Sequence, residues 1–242
     1  MSFALEIKKL KRTGFFPAFL IGALLASLFP VVNMAARQEM FVNQPLAPLE
    51  ILLNANWSMM ATLNVFLVII GSCMMYYGEF ANRAIEKLHM VPLNLHVLFF
   101  SKVFLLLAAF IPVLAIEEAV LLFCSKHWFS EKELQLDLLL GNAGFSLAML
   151  LPVILLMLLI ASLCKNMWIS LGAGVILLFS AQTIYRSDSI LAKIYTFSMP
   201  YQFLTKDCTP EKLAPLFLVW AGEILLFGAA KMILIKFRRT PV

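Results

Sequence analysis

The sequence predicts an all-α, polytopic membrane protein with six transmembrane helices, and three observations predict it. First, six apolar stretches fill most of the 242 residues, at 15–35, 57–77, 97–116, 138–163, 167–183 and 213–235. Each approaches the roughly 20 residues that a helix rising about 1.5 Å per residue needs to cross about 30 Å of hydrocarbon. Lipid offers no hydrogen bond to an unpaired backbone group, so the crossings must be helices. Second, hydrophobic residues make up 62% of the chain and charged residues 14%, with mean hydropathy +0.91. A soluble domain carries about 25% charged residues, so composition excludes a water-soluble fold. Third, the charge is sorted by side. Lys8, Lys9, Lys11, Arg12, Arg83, Lys87, Lys165, Lys236, Arg238 and Arg239 face only Glu6, Glu79 and Glu86 on one side, whereas acids including Glu131, Glu133 and Asp137 outnumber bases on the other.

Excess Lys and Arg marks the cytoplasmic face, so both termini are expected there, as an even number of crossings also requires. The net charge of +5 is therefore topogenic, and nucleic acid is not an expected partner. The connections are too short for an independent soluble domain, so residues 1–242 are expected to form a single transmembrane domain.

In chain order, Phe3, Ile7 and Leu10 recur at i, i+4 and i+7 among Lys8, Lys9, Lys11 and Arg12. This predicts either an N-terminal interfacial helix in the headgroup layer or simply a basic flank. The apolar run that follows is too long for a signal peptide and lacks a small-x-small site, so no cleavage is expected. Pro17 and Pro30 are expected near the ends of span one, where lost backbone bonds cost least. Residues 37–56 read as a polar outer loop carrying Pro45 and Pro48, with Trp57 as an interface anchor. Span three is expected to end before Glu117-Glu118, and the apolar run 119–124 either extends the helix outward or folds back. Leu163-Cys164-Lys165-Asn166 makes spans four and five a hairpin. Residues 184–212 are too apolar for a free loop and too broken to cross, which predicts amphipathic or re-entrant pieces at the outer face. Gly22 with Ala26, Gly141 with Gly144 and Ser170 with Gly174 stand at close-packing spacings, expected within the chain. Cys73, Cys124, Cys164 and Cys208 lack metal spacing and read as scattered apolar thiols. Pairing of Cys124 with Cys208 stays open.

Chemistry within the chain has little support. The sequence has no H-E-x-x-H, no G-x-S-x-G, no clustered His/Asp/Cys set and no G-x-x-x-x-G-K-[S/T], so no catalytic, metal or cofactor-binding residue is assigned. Work done by the chain must be driven by a partner or an ion gradient. Of the charges inside spans, Lys102 and Lys231 are expected to snorkel, and Glu223 is the deep one, awaiting a structural partner or an aqueous cavity. Glu223 and Lys231 lie about 12 Å apart along the axis and about 80° apart in azimuth, too far to pair directly.

The segment between spans two and three carries the most specific signal. Residues 76–88 read as a short amphipathic helix, with Phe80, Ala84 and Leu88 on one face and Arg83, Glu86 and Lys87 supplying polar groups. Val91-Pro92 breaks it, and Ser101-Lys102 opens the next span. Glu79, then Pro92, then Ser101-Lys102 resembles the permease subunits of type 2 ATP-binding-cassette exporters. So do the basic N-terminal elbow, six spans with both ends inside, and an elaborated outer segment between spans five and six. Compact size and the Tyr-Gly-Glu…Pro…Ser-Lys stretch are most similar to lantibiotic immunity transporter permeases, although Asn82 and Asn94 depart from the commoner small and basic residues.

The resemblance implies a cytoplasmic coupling helix that docks on separate ATPase subunits through Glu79, Phe80, Arg83, Glu86, Lys87, Leu88 and Pro92. It also implies a second permease, identical or related, and a bacterial cell membrane as location. The chain would bind no cofactor itself, ATP acting through the partner, and the cargo would be an amphiphilic antimicrobial peptide. An ion-coupled secondary carrier dependent on Glu223 and a non-transporting assembly factor are the alternatives.

Overall fold

The computed structural model describes residues 2–11, 13–81, 95–129, 136–187, 190–205 and 210–239. Helices account for nearly all of them, and no strand occurs among them. The helices are α1 (Ser2–Leu10), α2 (Phe15–Val42), α3 (Pro48–Ala81), α4 (Leu95–Trp128), α5 (Leu136–Leu163), α6 (Met167–Tyr185), α7 (Ile190–Ile194) and α8 (Pro210–Arg239). A 3-10 helix, Thr196–Tyr201, follows α7. Six of these helices are long and apolar enough to cross a bilayer, as the sequence requires.

The helix α1 turns into span one at Gly14, whose φ of 76° lies in the left-handed region, a conformation that glycine adopts without penalty. On α1, Glu6 and Leu10 are buried one turn apart, while Lys8, Lys9 and Lys11 are exposed. This amphipathic helix packs on α4.

The first three crossings are longer than their apolar cores. The expected outer loop 37–56 is mostly helix: α2 continues to Val42 through a kink at Arg37 (φ −137°, ψ 33°), and α3 already starts at Pro48. Pro30 consequently lies inside α2. Glu117 and Glu118 do not end span three, because α4 runs on to Trp128. The run 119–124 thus extends the helix. In sequence such polar residues read as exits from the membrane, but in a bundle this long they continue the helix wherever another helix offers them a partner.

The centre of the bundle is α3, which packs against α2, α4, α5, α6 and the 3-10 helix. Close approach is bought by glycine: a Cβ on Gly22 would stand 2.5 Å from the Leu67 side chain, and one on Gly174 2.8 Å from Ile69. Those two small-residue sites therefore serve packing within the chain, and Gly141 and Gly144 do not, since a Cβ at either meets nothing tight. Ser170 meets Cys73, Oγ to Sγ 3.2 Å.

The segment after span five re-enters the bundle. All six residues of the 3-10 helix are buried, wedged between α3, α5 and α6. Trp57 is not an interface anchor: it is 1% exposed, and its indole N–H donates to the Pro200 carbonyl at 3.2 Å. Thr62 joins the Tyr201 hydroxyl (3.1 Å) and accepts from Gln182 (2.9 Å). By contrast α8 lies on the periphery, against α5 with lesser contact to α4 and α7. The most apolar stretch of α8 has no buried residue. Among the side chains that tie it down, Trp220 Nε1 donates to the Ala148 carbonyl (2.7 Å) and Lys231 Nζ to Ser162 Oγ (2.8 Å). Cys124 is buried near the end of α4, and Cys208 lies outside the described residues.

Candidate functional site

Four charged side chains meet where α1, the last turn of α3 and the second turn of α4 converge. Lys102 Nζ stands 2.8 Å from Glu6 Oε2 and 2.7 Å from Glu79 Oε1. Lys9 closes the set, 2.7 Å from Glu6 and 3.9 Å from Glu79. The aromatic ring of Tyr76 lies 5.2 Å from the Lys102 ammonium, a cation–π distance. Only Lys9 reaches solvent, its side chain being 51% exposed against 2% for Lys102. Burial alone would raise the Glu6 pKa. The charge and hydrogen bond of Lys102, with those of Lys9, outweigh it and hold the carboxyl below its ordinary value.

Lys102 therefore does not snorkel. A lysine stem can reach the surface only if its head is better served there, and here two carboxylates serve it inside. Lys231 is likewise drawn inward: besides its bond to Ser162, it lies 5.8 Å from the Tyr76 ring and 5.1 Å from the Phe99 ring. These contacts bring the last turns of α8 to the same end of the bundle as α1, so this is its terminal end.

The sequence-predicted coupling residues divide at residue 81. Glu79 and Phe80 belong to the last turn of α3, continuous with span two. Glu79 points into the ion cluster, and Phe80 lies beside Tyr76, ring centroids 6.4 Å apart. Arg83, Glu86, Lys87, Leu88 and Pro92 lie outside the described residues. Ser101 donates to the carbonyl of Val97 in its own helix (2.7 Å). Glu223, half-buried on α8, accepts a hydrogen bond from Thr196.

Sequence reasoning missed a second polar set toward the opposite end. Glu117 is fully buried and accepts from Asn64 Nδ2 of α3 at 3.0 Å; Glu118, 8% exposed, accepts from Asn142 Nδ2 of α5 at 2.9 Å. Asn142 Oδ1 in turn accepts from the Leu204 backbone N–H at 3.3 Å. The signal was present. From Val113 to Trp128 no glycine or proline interrupts the pattern, so nothing stops the helix at the acidic pair. Nearer the same end, a cavity of about 280 Å³ opens between α3, α6 and the 3-10 helix, lined by Ser58, Thr62, Gln182, Arg186 and Tyr201.

Residues 2–181 match the family model described as ABC-2 family transporter protein. No curated protein and no solved structure matches the chain. The match spans α1, the first four crossings and most of the fifth, including every member of the ion cluster, and it implies an ATP-binding-cassette ATPase partner and a lipid bilayer around the chain. The chain thus belongs to the ABC-2 family of transporter proteins, as a membrane-spanning subunit of an ATP-binding-cassette exporter.

Proposed function

We propose that this subunit expels an amphiphilic antimicrobial peptide, in the manner of lantibiotic immunity transporters, as one of two permeases joined to two separate ATPases. In this reading ATP is bound by the partner alone. The basic termini and the segment after span two lie in the cytoplasm, in keeping with the excess of Lys and Arg there. ATPase closure pushes on residues 79–88, with Phe80 and Leu88 filling a groove and Arg83, Glu86 and Lys87 fixing its orientation at the rim.

The ion cluster carries this reading. Lys102 joins the start of α4 to the end of α3 and to α1 through Glu79 and Glu6, so force delivered just beyond residue 81 reaches three helices together. Two helices of 34 residues each then act as levers about 50 Å long. Such coupling requires the ATPase to bind the two arrangements with different affinity.

The test is to purify the chain from its host membrane in mild detergent and identify the companion ATPase. Arg83→Glu with Lys87→Glu should then lower transport-coupled ATP hydrolysis while leaving the protein in the membrane. An assembly without any nucleotide hydrolase, or coupling unchanged by the double substitution, would defeat the docking assignment. Cells lacking the assembly should be more sensitive to the peptide; equal sensitivity would remove the cargo assignment alone.

A further inference from the structure

Glu117 presents an accounting problem. Its Oε2 accepts the Asn64 amide N–H, but its Oε1 is buried with no hydrogen-bond partner, and so is Asn64 Oδ1. Both residues are almost wholly enclosed, at 0% and 2% exposure. Two bare acceptors facing a carboxylate's charge in a membrane interior would be a costly arrangement.

One proton would serve both atoms. A planar amide and a planar carboxylic acid can join edge to edge in an eight-membered ring, the amide N–H donating to one carboxyl oxygen and the acid O–H to the amide oxygen. The first half of that ring is already formed, and the two atoms left over are the donor site and the acceptor that the second half needs. We propose that the Glu117–Asn64 pair is an occluded proton-binding site, loaded in this closed arrangement, with the proton on Glu117 Oε1 donated to Asn64 Oδ1.

Among the described residues no basic side chain forms an ion pair with Glu117. On α4 itself the neighbour is Glu118, engaged with Asn142 of α5. The charged residues of α3, Glu50 and Glu79, stand about 21 and 22 Å away along the helix from Asn64. On α2 the inward polar groups are the neutral Ser27, buried at 4% exposure, and Asn33, bound to Asn56 at 2.9 Å, while Arg37 and Glu39 are exposed; on α5, Asp137 is exposed too. Glu223 of α8 is bound to Thr196, Lys231 reaches Ser162 at the terminal end, and Glu6 and Lys9 of α1 belong to the ion cluster there. Glu118 differs from Glu117 because its partner amide oxygen already accepts the Leu204 N–H. The site is closed by α3 against α4, so any rearrangement that parts these helices exposes the acid to water, where the proton can leave and later return.

Infrared spectroscopy of the full chain in lipid nanodiscs tests this directly, since a protonated carboxyl absorbs apart from a carboxylate. At neutral pH the wild type should show a carboxylic-acid carbonyl band. Glu117→Gln should abolish it, Glu118→Gln should leave a band in place, and Asn64→Ala should shift it by removing the acceptor. Glu117→Gln, whose amide can donate to Asn64 Oδ1 as the acid would, should also fold and melt like the wild type. The absence of an acid band, a band that survives Glu117→Gln, a band unmoved by Asn64→Ala, or failure of Glu117→Gln to fold would each overturn the proposal.

Discussion

The two ends of the bundle bury acid side chains by different means. At the terminal end Glu6 and Glu79 share an ammonium, with a second one at the rim. Toward the opposite end Glu117, Glu118 and Glu223 are held by two amides and a hydroxyl, and among the described residues no ion pair reaches them. Opposite charges fix a geometry, because separating them leaves an uncompensated ion in low dielectric. Neutral donors hold a group without committing its charge. In the proposals made above, one end is the part that transmits and the other the part that changes protonation state.

The largest effect should come from removing the shared cation. Lys102→Met strands two buried carboxylates and should cost about 3–5 kcal/mol of stability, read as a lower melting temperature in detergent. Adding Glu6→Gln and Glu79→Gln should recover most of that loss, yet not the coupling to ATP hydrolysis. If the triple variant couples normally, the terminal end is no transmitter. At the other end Asn142→Ala leaves Glu118 and the Leu204 N–H each short of a partner, and should cost about 1–3 kcal/mol without affecting assembly with the ATPase.

A third contrast is acid sensitivity. Because Glu6 is held below its ordinary value of 4.5, its contribution is complete above that value and is lost as pH falls through the lower folded pKa. Proteolysis within α1 should therefore rise on acidification below about 4.5, and Glu6→Gln should abolish that rise. The smallest effect belongs to Lys9→Ala. With its head half in water, the pair should be worth under about 1 kcal/mol, and a larger loss would mean that the rim cation is part of the clamp.

The crossings were legible because each long apolar run has one physical solution in lipid. The elbow helix was legible too, from three apolar residues at helical spacing. What escaped was pairing across the bundle. Nothing near Lys102 in the chain shows that Glu6, 96 residues away, will meet it, so the lysine reads as a snorkelling flank. Glu117-Glu118 reads as a helix exit because acids in lipid are costly, and only the positions of Asn64 and Asn142 on other helices remove that cost. Trp57 was misplaced for a related reason: its carbonyl partner, Pro200, is 143 residues away.

The sixth crossing carries a separate consequence. Helix α8 lies beyond the residues shared with the family, and where lipid supplies no hydrophobic drive its polar attachments run through Trp220, Glu223 and Lys231. Trp220 and Glu223 fasten one half, and Lys231 stands eleven residues beyond Trp220, about 16 Å along the helix, so loss of the lysine contact frees the terminal end of the rod to swing about the other two. A chain cut before Pro210 should therefore be expected to keep its other five crossings together, and α8 supplied as a separate peptide to rebind through those contacts.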